Sequence, residues 1–440
     1  MTARAAPLFS RAMSALLLLA FASVPQAPAD WPSFGGPNRD TRMPALASKF
    51  AWGEEGPEVL WRTPTLGPGF AGVAVHGGEV FLLDCELGES ELLRVFDLTT
   101  GAENWSFGYE VKGRVQFPGP RTVPAVTDEV VVTVGAFGHV VCVDRKTHEP
   151  RWETHLVEVY GGEDPGFGWS SSPLIVGELV VVAPLGKEVG LVGLDLRSGE
   201  ERWTSAGVGF SQSSPAYLEL LGEPGLVILA TDTQATGQDQ AAPMSVTCID
   251  PKDGKTRWRH VLTLTRLPVA SAVQIDAERF FLTGGYRGGS TLMRLSKKGD
   301  AYAFEELFHV ERGSQVHAPL LHDGHLYLLA NENANVQPSR RSEGGLLCLD
   351  LAGKEHWRSG ATPYFGLGNA ILAGDHLLIQ DGTDGTLRVV RASPKGYEQV
   401  AEAKLFGEPR SRDAQMWAPM ALAGERLLLR SQDELMCVKP

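Results

Sequence analysis

Seven short segments of the sequence carry side chains that suit the binding of a small anionic molecule. Each is rich in arginine, aromatic, amide, hydroxyl or histidine residues, and each directly precedes an apolar stretch. Guanidinium groups pair with carboxylates, aromatic rings stack on planar molecules, and amides and hydroxyls fix the orientation of a ligand. The candidates for binding a ligand or cofactor are Arg114, Arg121, Trp169, Gln212, Arg266, Gln315, His317, Asn369, Arg412, Asp413 and Trp417.

The same residues also have a purely structural interpretation. Strands that surround a channel need polar partners at their ends whether or not a ligand binds, and His317 fits a hydrogen-bonded wall residue better than a base. Asp381-Gly-Thr-Asp384-Gly resembles part of a calcium loop, but it falls where a hairpin turn is expected. The sequence contains no nucleophile-elbow, zinc-protease or phosphate-loop motif. We therefore assign no catalytic residue and no metal ligand.

A repeat of about 50 residues determines which elements position these side chains. Aromatic residues recur at Trp61, Trp105, Trp152, Trp203, Trp258, Phe308, Trp357 and Phe406. A phrase such as Asp97-Leu-Thr-Thr-Gly101-Ala-Glu-Asn-Trp105 leads into most of them, although His148 replaces the glycine in one copy. The Asp carboxylate caps a turn, Gly adopts the positive φ of a hairpin, and the aromatic residue packs on the following strand.

Another hairpin precedes each phrase, so each repeat predicts four short antiparallel strands. Inner hairpins begin near Val73, Pro124, Pro173, Pro215, Ser271, Pro319, Ala370 and Pro419. We predict an all-β fold, an eight-bladed β-propeller of four-stranded antiparallel blades, with seven blades as the alternative. The last copy lacks its fourth strand, and the strand around Trp61 has no hairpin before it. We expect this amino-terminal strand to complete the last blade and close the ring.

Composition and charge exclude several functional classes. The 440 residues are 43% hydrophobic and 21% charged, which excludes an intrinsically disordered chain. A net charge of −13 makes nucleic acid and anionic membrane surfaces poor partners. The 50 glycines indicate many turns.

The amino terminus is typical of a secretory signal peptide. Two arginines precede the apolar run from Ser14 to Val24, and Ala27-Pro28-Ala29 fits the cleavage rule. The run is too short for a membrane anchor, and no cysteine lies nearby to carry a lipid. We predict a signal peptide at 1–29, a segment at 30–57 that packs on the propeller, and the propeller at 58–440. Cleavage near Ala29 would place the protein in the periplasm or outside the cell, with no transmembrane span in the mature chain.

The repeat also accounts for four of the five cysteines. Cys142, Cys248, Cys348 and Cys437 each stand two residues before the Asp position, on the third strand of blades two, four, six and eight. Equivalent atoms of non-adjacent blades lie too far apart for a disulfide. We expect these four to be small buried residues, and Cys85 lies outside this register.

The Ala/Cys-Leu/Val-Asp-x-x-Thr-Gly-x-x-x-Trp phrase resembles the repeat of pyrroloquinoline quinone (PQQ) enzyme-like propellers. Asp30-Trp-Pro-Ser-Phe-Gly-Gly-Pro-Asn-Arg39 resembles the opening of exported PQQ-like propellers of planctomycete-type bacteria. The family includes quinoprotein dehydrogenases, which hold PQQ and Ca²⁺ on the axis through Glu, Asn and Asp. It also includes lipid-anchored outer-membrane-assembly proteins. Asn369 and Asp413 lie at the right end of their blades for such ligands, but the set of ligands is incomplete, and the adjacent cysteine pair of the first group is missing.

These observations lead to two functional hypotheses of different classes. The first is an exported, non-catalytic propeller with a polar and aromatic funnel that binds a periplasmic or extracellular protein, a glycan or a small planar anionic ligand. The alternative is a PQQ- and calcium-dependent oxidoreductase acting on alcohols or sugars. A complete set of carboxylate and asparagine ligands on the axis would favour the second hypothesis. An electron-transfer or hydrolytic enzyme is a third option that no motif supports.

Overall fold

β-Strands form almost all regular structure in the computed structural model of the protein. The structure describes residues 1–2, 30–46, 50, 52–53, 55–163, 166–232, 241–331, 338–407 and 415–440. Residues 3–29 of the predicted signal peptide and the candidates Arg412 and Asp413 lie outside these ranges. In the described part the regular helical element is one 3₁₀ helix, Pro338–Glu343, and no helix has the length and apolar character needed to cross a membrane.

The strands of the first half of the chain form four blades after two separate strands. The separate strands are β1 (Arg42–Met43) and β2 (Glu58–Pro64). Blade one has β3 (Val73–His76), β4 (Glu79–Glu86), β5 (Ser90–Asp97) and β6 (Glu103–Glu110). Blade two has β7 (Ala125–Val126), β8 (Val130–Val134), β9 (His139–Asp144) and β10 (Pro150–His155). Blade three has β11 (Leu174–Val176), β12 (Leu179–Val182), β13 (Val189–Asp195) and β14 (Glu201–Ala206). Blade four has β15 (Ala216–Leu220), β16 (Glu223–Ala230), β17 (Pro243–Ile249) and β18 (Thr256–Thr263).

The second half repeats this arrangement. Blade five has β19 (Val273–Gln274), β20 (Arg279–Gly284), β21 (Gly289–Lys298) and β22 (Ala301–Val310). Blade six has β23 (Leu320–His322), β24 (His325–Leu329), β25 (Leu346–Asp350) and β26 (Glu355–Arg358). Blade seven has β27 (Asn369–Ala373), β28 (His376–Gln380), β29 (Thr386–Arg391) and β30 (Gln399–Lys404). Blade eight starts with β31 (Ala421–Ala423), β32 (Arg426–Arg430) and β33 (Glu434–Lys439).

The amino-terminal strand completes blade eight, as the repeat predicts. Strand β2 pairs with β33 in antiparallel register, with Glu58 opposite Lys439 and Trp61 opposite Cys437. The sheet order is β2-β33-β32-β31, and the other blades pair their strands in chain order. The eight-bladed ring is thereby confirmed and the seven-bladed alternative is wrong. Because distant parts of the chain share one sheet, the ring closes without leaving two strand edges unpaired.

The recurring aromatic residues connect neighbouring blades. The indole N–H of Trp61 donates to the Leu98 carbonyl of blade one at 3.0 Å. Trp152 and Trp203 donate to the equivalent carbonyls of the next blades, also at 3.0 Å. Gly101, at φ +70°, faces the Trp61 ring so closely that a Cβ atom would lie 2.5 Å from it. The phrase therefore encodes contacts between blades as well as turns within them.

Two copies of the phrase depart from this pattern. In blade two His148 takes the glycine position at φ 63°, and its imidazole stacks on Trp105 with the ring centroids 4.3 Å apart. In blade seven the position opposite the third strand is held by Ala401, which pairs with Val389. The assignment of Phe406 to this position is wrong, because β30 ends at Lys404 and Phe406 follows it. Phe406 lies five residues after Ala401, so it has about the spacing of the repeat, but it does not pair with the third strand.

All five cysteines are buried and free, which confirms that Cys142, Cys248, Cys348 and Cys437 are small buried residues of the repeat and not part of a disulfide framework; Cys85 lies on β4, outside this register. Burial raises the pKa of Cys85, Cys142, Cys248 and Cys437 to about 12. It raises the pKa of Cys348 to about 11. The four cysteines of the repeat belong to apolar layers between adjacent blades. One such layer, with Cys142, Trp152, Val180 and Leu194, joins blades two and three. The core of the protein is this series of inter-blade layers.

Residues 30–46, which we call the plug, cross one end of the central channel. Trp31 pairs with Val75 of blade one through two backbone hydrogen bonds of 2.8 Å and is 1% exposed. The Pro32 carbonyl accepts a 2.8 Å bond from the backbone N–H of Val126 in blade two. Strand β1 pairs in parallel with β27, the inner strand of blade seven. The plug contacts the carboxyl ends of inner strands, so it covers the end of the channel opposite to the segments that begin those strands. The division of the chain at residues 57 and 58 stays a prediction.

Candidate ligand-binding site

A cavity of about 810 Å³ occupies the axis of the ring. All eight blades contribute to its wall, mainly through the residues that lead into their inner strands, and the plug contributes its floor. The antiparallel repeat explains this convergence, because every blade begins its inner strand at the same end of the channel. Polar residues that are dispersed along the sequence therefore meet around one space.

The structure separates the sequence candidates into three groups. One group lines the cavity and consists of Arg121, Gln212, Arg266, Gln315, His317, Asn369 and Trp417. A second group, Arg114 and Trp169, lies elsewhere. The third group, Arg412 and Asp413, lies outside the described residues.

Trp169 and Arg114 differ from the other described candidates because their side chains do not line the cavity. Trp169 is 1% exposed, donates its indole N–H to the Ala183 carbonyl at 3.2 Å, and belongs to the apolar layer between blades two and three. Burying this ring in the core gains more hydrophobic free energy than exposing it in a wet channel. Arg114 lies in the exposed loop before blade two and does not line the cavity. The structure thus corrects the placement of both side chains in the funnel.

One side of the cavity presents a cluster of aromatic rings from blades one, two, three and eight. Phe70 stacks on Trp417 with centroids 5.0 Å apart, and Phe117 meets Trp417 edge to face at 5.3 Å. Phe167 extends the cluster, because it stacks on Phe117 at 6.1 Å. The Arg121 guanidinium lies 5.8 Å from the centre of the Phe70 ring and donates to carbonyls of its own loop. We call Phe70, Phe117, Phe167 and Trp417 the aromatic wall.

The opposite side, from blades five and six, is polar. Arg266 lies over the Tyr286 ring at 4.0 Å from its centre, which is the geometry of a cation–π contact. The amide of Gln315 donates to the Tyr286 hydroxyl at 3.1 Å and so fixes the ring on which Arg266 rests. A guanidinium that stacks by its face keeps its N–H groups directed sideways, in the plane in which carboxylates bind.

Two further lining residues, His317 and Asn369, form hydrogen bonds with backbone carbonyls. His317 is neutral near pH 7, because burial lowers its pKa to about 4. Its Nε2 lies 2.8 Å from the Ala370 carbonyl, and since a carbonyl only accepts, Nε2 carries the proton of the neutral ring. The Asn369 amide donates to the carbonyls of Trp417 at 2.8 Å and Ala418 at 3.1 Å. These contacts tie blade six to blade seven and blade seven to blade eight.

The serines of the cavity wall form connections between successive blades. The Ser172 hydroxyl accepts the backbone N–H of Val123 at 3.0 Å, and the Ser214 hydroxyl accepts that of Ser172 at the same distance. The Ser271 hydroxyl donates to the Ser214 carbonyl at 2.8 Å. Blades two to five are linked in this way. For these serines the structural interpretation holds, because they satisfy strand ends that would otherwise be unpaired.

The charge of the cavity is opposite to that of the protein. Among the residues that the structure describes, four arginines line it, Arg39 and Arg42 from the plug and Arg121 and Arg266 from the blades, together with one carboxylate, Asp40. Burial raises the pKa of Asp40 and lowers that of Arg39. The chain as a whole carries a net charge of −13. An excess of guanidinium groups around one cavity of an acidic protein attracts anions to that cavity.

Sequence reasoning missed several lining residues. Phe70 precedes the inner strand of blade one, and applying the same rule to that blade would have identified it. Tyr286 lies in a hairpin between β20 and β21, where the repeat gives no signal for the channel. Arg39 and Arg42 stand in the opening segment, and nothing in their sequence neighbourhood indicates that the segment turns into the channel.

The described residues do not fit a calcium-bound quinone cofactor. Calcium takes six to eight oxygen ligands, several of them carboxylates. Asp40 is the one carboxylate among the described lining residues, and no group of three or more His, Cys, Asp or Glu side chains in the described ranges could hold a metal ion. Asp381, in the calcium-like phrase, forms an ion pair with Arg388 at 3.0 Å and caps the hairpin turn predicted there. We derive no reaction step through PQQ or calcium.

Eight four-stranded blades, joined by tryptophans that contact the Asp–Gly turn of the next blade, define a PQQ-like β-propeller. The family model described as outer membrane protein assembly factor BamB matches residues 88–305 and 244–439, and the chain belongs to this family. No curated protein matches the sequence.

Solved structures share the fold at low sequence identity. BamB from Moraxella catarrhalis is 14% identical, with a TM-score of 0.56 over 87% of this chain and 97% of that chain. A europium-containing methanol dehydrogenase is 12% identical, with a TM-score of 0.61 over 94% of this chain and 98% of that one. The quinohemoprotein alcohol dehydrogenase of Comamonas testosteroni is 13% identical, with a TM-score of 0.62 over 93% and 80% of the two chains. At these identities the likeness establishes the fold alone.

Proposed function

We propose that this chain is an exported binding protein whose central cavity holds a small, planar, anionic molecule. The observation that carries the proposal is the excess of arginine over carboxylate among the described lining residues of the cavity, in a protein that is acidic as a whole. The aromatic wall supplies ring faces on which a planar molecule stacks, and Arg266 supplies a guanidinium that Tyr286 and Gln315 hold in place. Such a pairing of stacked rings with fixed charges discriminates ligands by shape and by charge.

The size of the cavity supports a ligand of low molecular weight. Its volume of about 810 Å³ lies in the range of about 300–1,000 Å³ that is typical of small-molecule sites. The apolar rings stand on one side and the polar groups on the other, so a planar ligand would be bound in one orientation. The serine connections and the Asn369 contacts keep the wall rigid, which lowers the entropic cost of binding.

Export is part of the proposal and rests on the signal-peptide pattern of the sequence. We expect the mature protein to begin at Asp30 and to reside in the periplasm or outside the cell. Sequencing the amino terminus of protein recovered from the periplasm or the medium tests this, and retention of residues 1–29 would contradict it. A protein partner or a glycan is the alternative ligand class for an exported propeller. The description of the family, an outer membrane protein assembly factor, favours the protein partner.

A PQQ- and calcium-dependent oxidoreductase is the alternative function. Its support is the fold shared with the methanol and alcohol dehydrogenases, together with the planar, carboxylate-bearing nature of PQQ. The described lining supplies guanidinium groups for such carboxylates, but it supplies one carboxylate where calcium needs several. We therefore propose calcium-independent binding of an anion and no catalysis.

Calorimetric titration of the mature protein with PQQ and with naphthalene-2-carboxylate tests the proposal. We expect each probe to bind with the same affinity in EDTA as in calcium. Replacing the stacked arginine by Arg266→Gln should weaken both by about tenfold, the loss expected for one charge-assisted contact. Arg114→Gln is the matched control, because Arg114 is an exposed arginine outside the cavity, and it should leave both affinities unchanged.

The possible outcomes separate the two functions. Absence of binding by either probe would refute the proposed function. Binding of PQQ that requires calcium would favour the oxidoreductase, and reduction of a dye by the loaded protein with alcohols would then establish it. Equal weakening by Arg266→Gln and Arg114→Gln would show that general charge, and not the cavity, attracts the probes.

A further inference from the structure

The plug brings charged side chains into the cavity as well as covering its end. Strand β1 adds to the inner edge of blade seven, with Arg42 opposite Leu372 and Met43 opposite Ala373. Met43 packs against the apolar core of blades seven, eight and one. Side chains alternate along a strand, so Arg42 points the other way and lines the cavity. The direction of Arg42 is thus fixed by the burial of its neighbour.

The guanidinium of Arg42 has no hydrogen-bond acceptor among the described residues of the protein. No carboxylate of the described ranges lies within ion-pair distance of its guanidinium, and no described carbonyl accepts its N–H groups. Its nearest acidic neighbour is Asp40, whose Oδ1 accepts the backbone N–H of Arg42 at 3.1 Å. Arg42 is solvent-exposed and lines the cavity, and its positive charge partly opposes the rise that burial causes in the pKa of Asp40. A guanidinium whose N–H groups have no protein acceptor is suited to bind an anion from outside.

The backbone around Arg42 is held in an unfavourable conformation. Arg39 and Thr41 adopt positive φ angles of 60° and 55°, which cost free energy for residues with a Cβ atom and most for a β-branched one. Arg39 donates to the Ile175 carbonyl at 2.6 Å, and the Thr41 carbonyl accepts the N–H of Leu372 at 3.0 Å. These bonds from blades three and seven maintain the strained turn, which directs the arginines of the plug into the cavity.

A second cation stands at the other end of the cavity. Arg266 precedes the inner strand of blade five, whereas Arg42 lies beside the last residues of the inner strand of blade seven. Inner strands such as β27 rise about 3.3 Å per residue, so the two levels are separated by roughly 10 Å. The aromatic wall lies at the level of Arg266, beside the space between the two cations.

We propose that the plug selects ligands with two anionic groups, one bound by Arg42 at the floor and the other by Arg266 at the strand-start end. This inference rests on the proposed function, and it assigns Arg42 as a specificity-determining residue contributed by the amino-terminal segment. The ligand class is an aromatic or otherwise planar dianion whose apolar body contacts the aromatic wall. A monoanion would use Arg266 alone and would leave Arg42 solvated.

Two matched probes test the proposal, naphthalene-2,6-dicarboxylate and naphthalene-2-carboxylate, which differ by one carboxylate. In the unaltered mature protein we expect the dicarboxylate to bind about tenfold more tightly than the monocarboxylate. Arg42→Gln should remove this preference, because it should weaken the dicarboxylate about tenfold more than the monocarboxylate. Arg42→Lys keeps a positive charge and should keep most of the preference, whereas Arg114→Gln should alter neither affinity.

Each result supports or overturns the inference. Equal affinities of the two probes for the unaltered protein would overturn it and leave the proposed function intact. An equal loss of both affinities in Arg42→Gln would also overturn it, because Arg42 would then not distinguish a second anionic group. The melting temperature of each variant reports whether the plug has only a structural role. Binding of neither probe by the unaltered protein would refute the proposed function as well.

Discussion

Acidification should destabilise the protein through His317, and the size of the effect follows from the burial of this ring. The pKa of His317 is lowered from 6.5 to about 4 by burial. Between about pH 4 and pH 6.5, His317 is therefore mostly neutral in the folded state and mostly protonated in the unfolded state. Its contribution to stability is complete above about pH 6.5, decreases as the pH falls, and is lost below about pH 4. At about 1.4 kcal/mol for each pH unit between the two pKa values, the total is about 3 kcal/mol.

The effect of His317 can be measured by comparing the pH dependence of the free energy of unfolding between the unaltered protein and a variant with a residue that does not titrate at this position. His317→Gln keeps an N–H that can donate to the Ala370 carbonyl. Between about pH 7 and about pH 5 the free energy of unfolding of the unaltered protein should fall about 2 kcal/mol further than that of the variant. Urea denaturation followed by tryptophan fluorescence at the two pH values measures this difference, because the carboxylates titrate equally in both proteins.

A surface histidine provides the control for this experiment. His309 is exposed on β22, so His309→Gln should follow the unaltered protein at both pH values. Parallel pH dependence of the unaltered protein and His317→Gln would refute the reasoning. So would an imidazole resonance of His317 that titrates near pH 6.5 in the folded state.

Three further predictions concern the ring itself. Arg430→Met should cost about 1–3 kcal/mol of stability, because buried Arg430 donates to the Ala71 carbonyl at 3.1 Å and pairs with Asp84 at 3.4 Å, while Arg94 continues to neutralise Asp84; Arg294→Met, at an exposed pair, should cost less than about 1 kcal/mol in the same urea denaturation. Gly101→Ala should cost about 1–3 kcal/mol more than Gly88→Ala, since both have positive φ but only the first Cβ meets Trp61; equal melting temperatures of the two variants would contradict this. No thiol should react with an aromatic disulfide reagent at about pH 8 in the folded protein, and all five should react in denaturant; a fast-reacting thiol in the folded state would disprove their burial.

The repeat made most of the architecture predictable from sequence. The Asp–Gly–Trp phrase combines a turn cap, a positive φ and an aromatic contact, and these are local requirements that reappear in every blade. Inner strands begin within about two residues of the predicted positions. Phe406 shows the limit of this reasoning, because spacing alone cannot distinguish a residue in the strand register from one just beyond the strand end.

The candidate site was predictable in position and only partly in composition. The rule that inner-strand starts face the channel located Arg121, Arg266 and Trp417. It could not distinguish Trp169, which the packing of blades two and three buries. Tyr286 reaches the cavity from the hairpin between β20 and β21, which the repeat does not associate with the channel.

The sequence by itself determined the number of blades, the strand that closes the ring and the burial of the cysteines, because each depends on short-range periodicity or on turn chemistry. The tertiary structure alone decided which loop side chains face the cavity and which join the core. It also decided that the plug crosses the channel and carries Arg39 and Arg42 to its floor. These outcomes depend on contacts between residues far apart in the chain, such as Arg39 with Ile175 and β1 with β27, and such contacts have no local pattern.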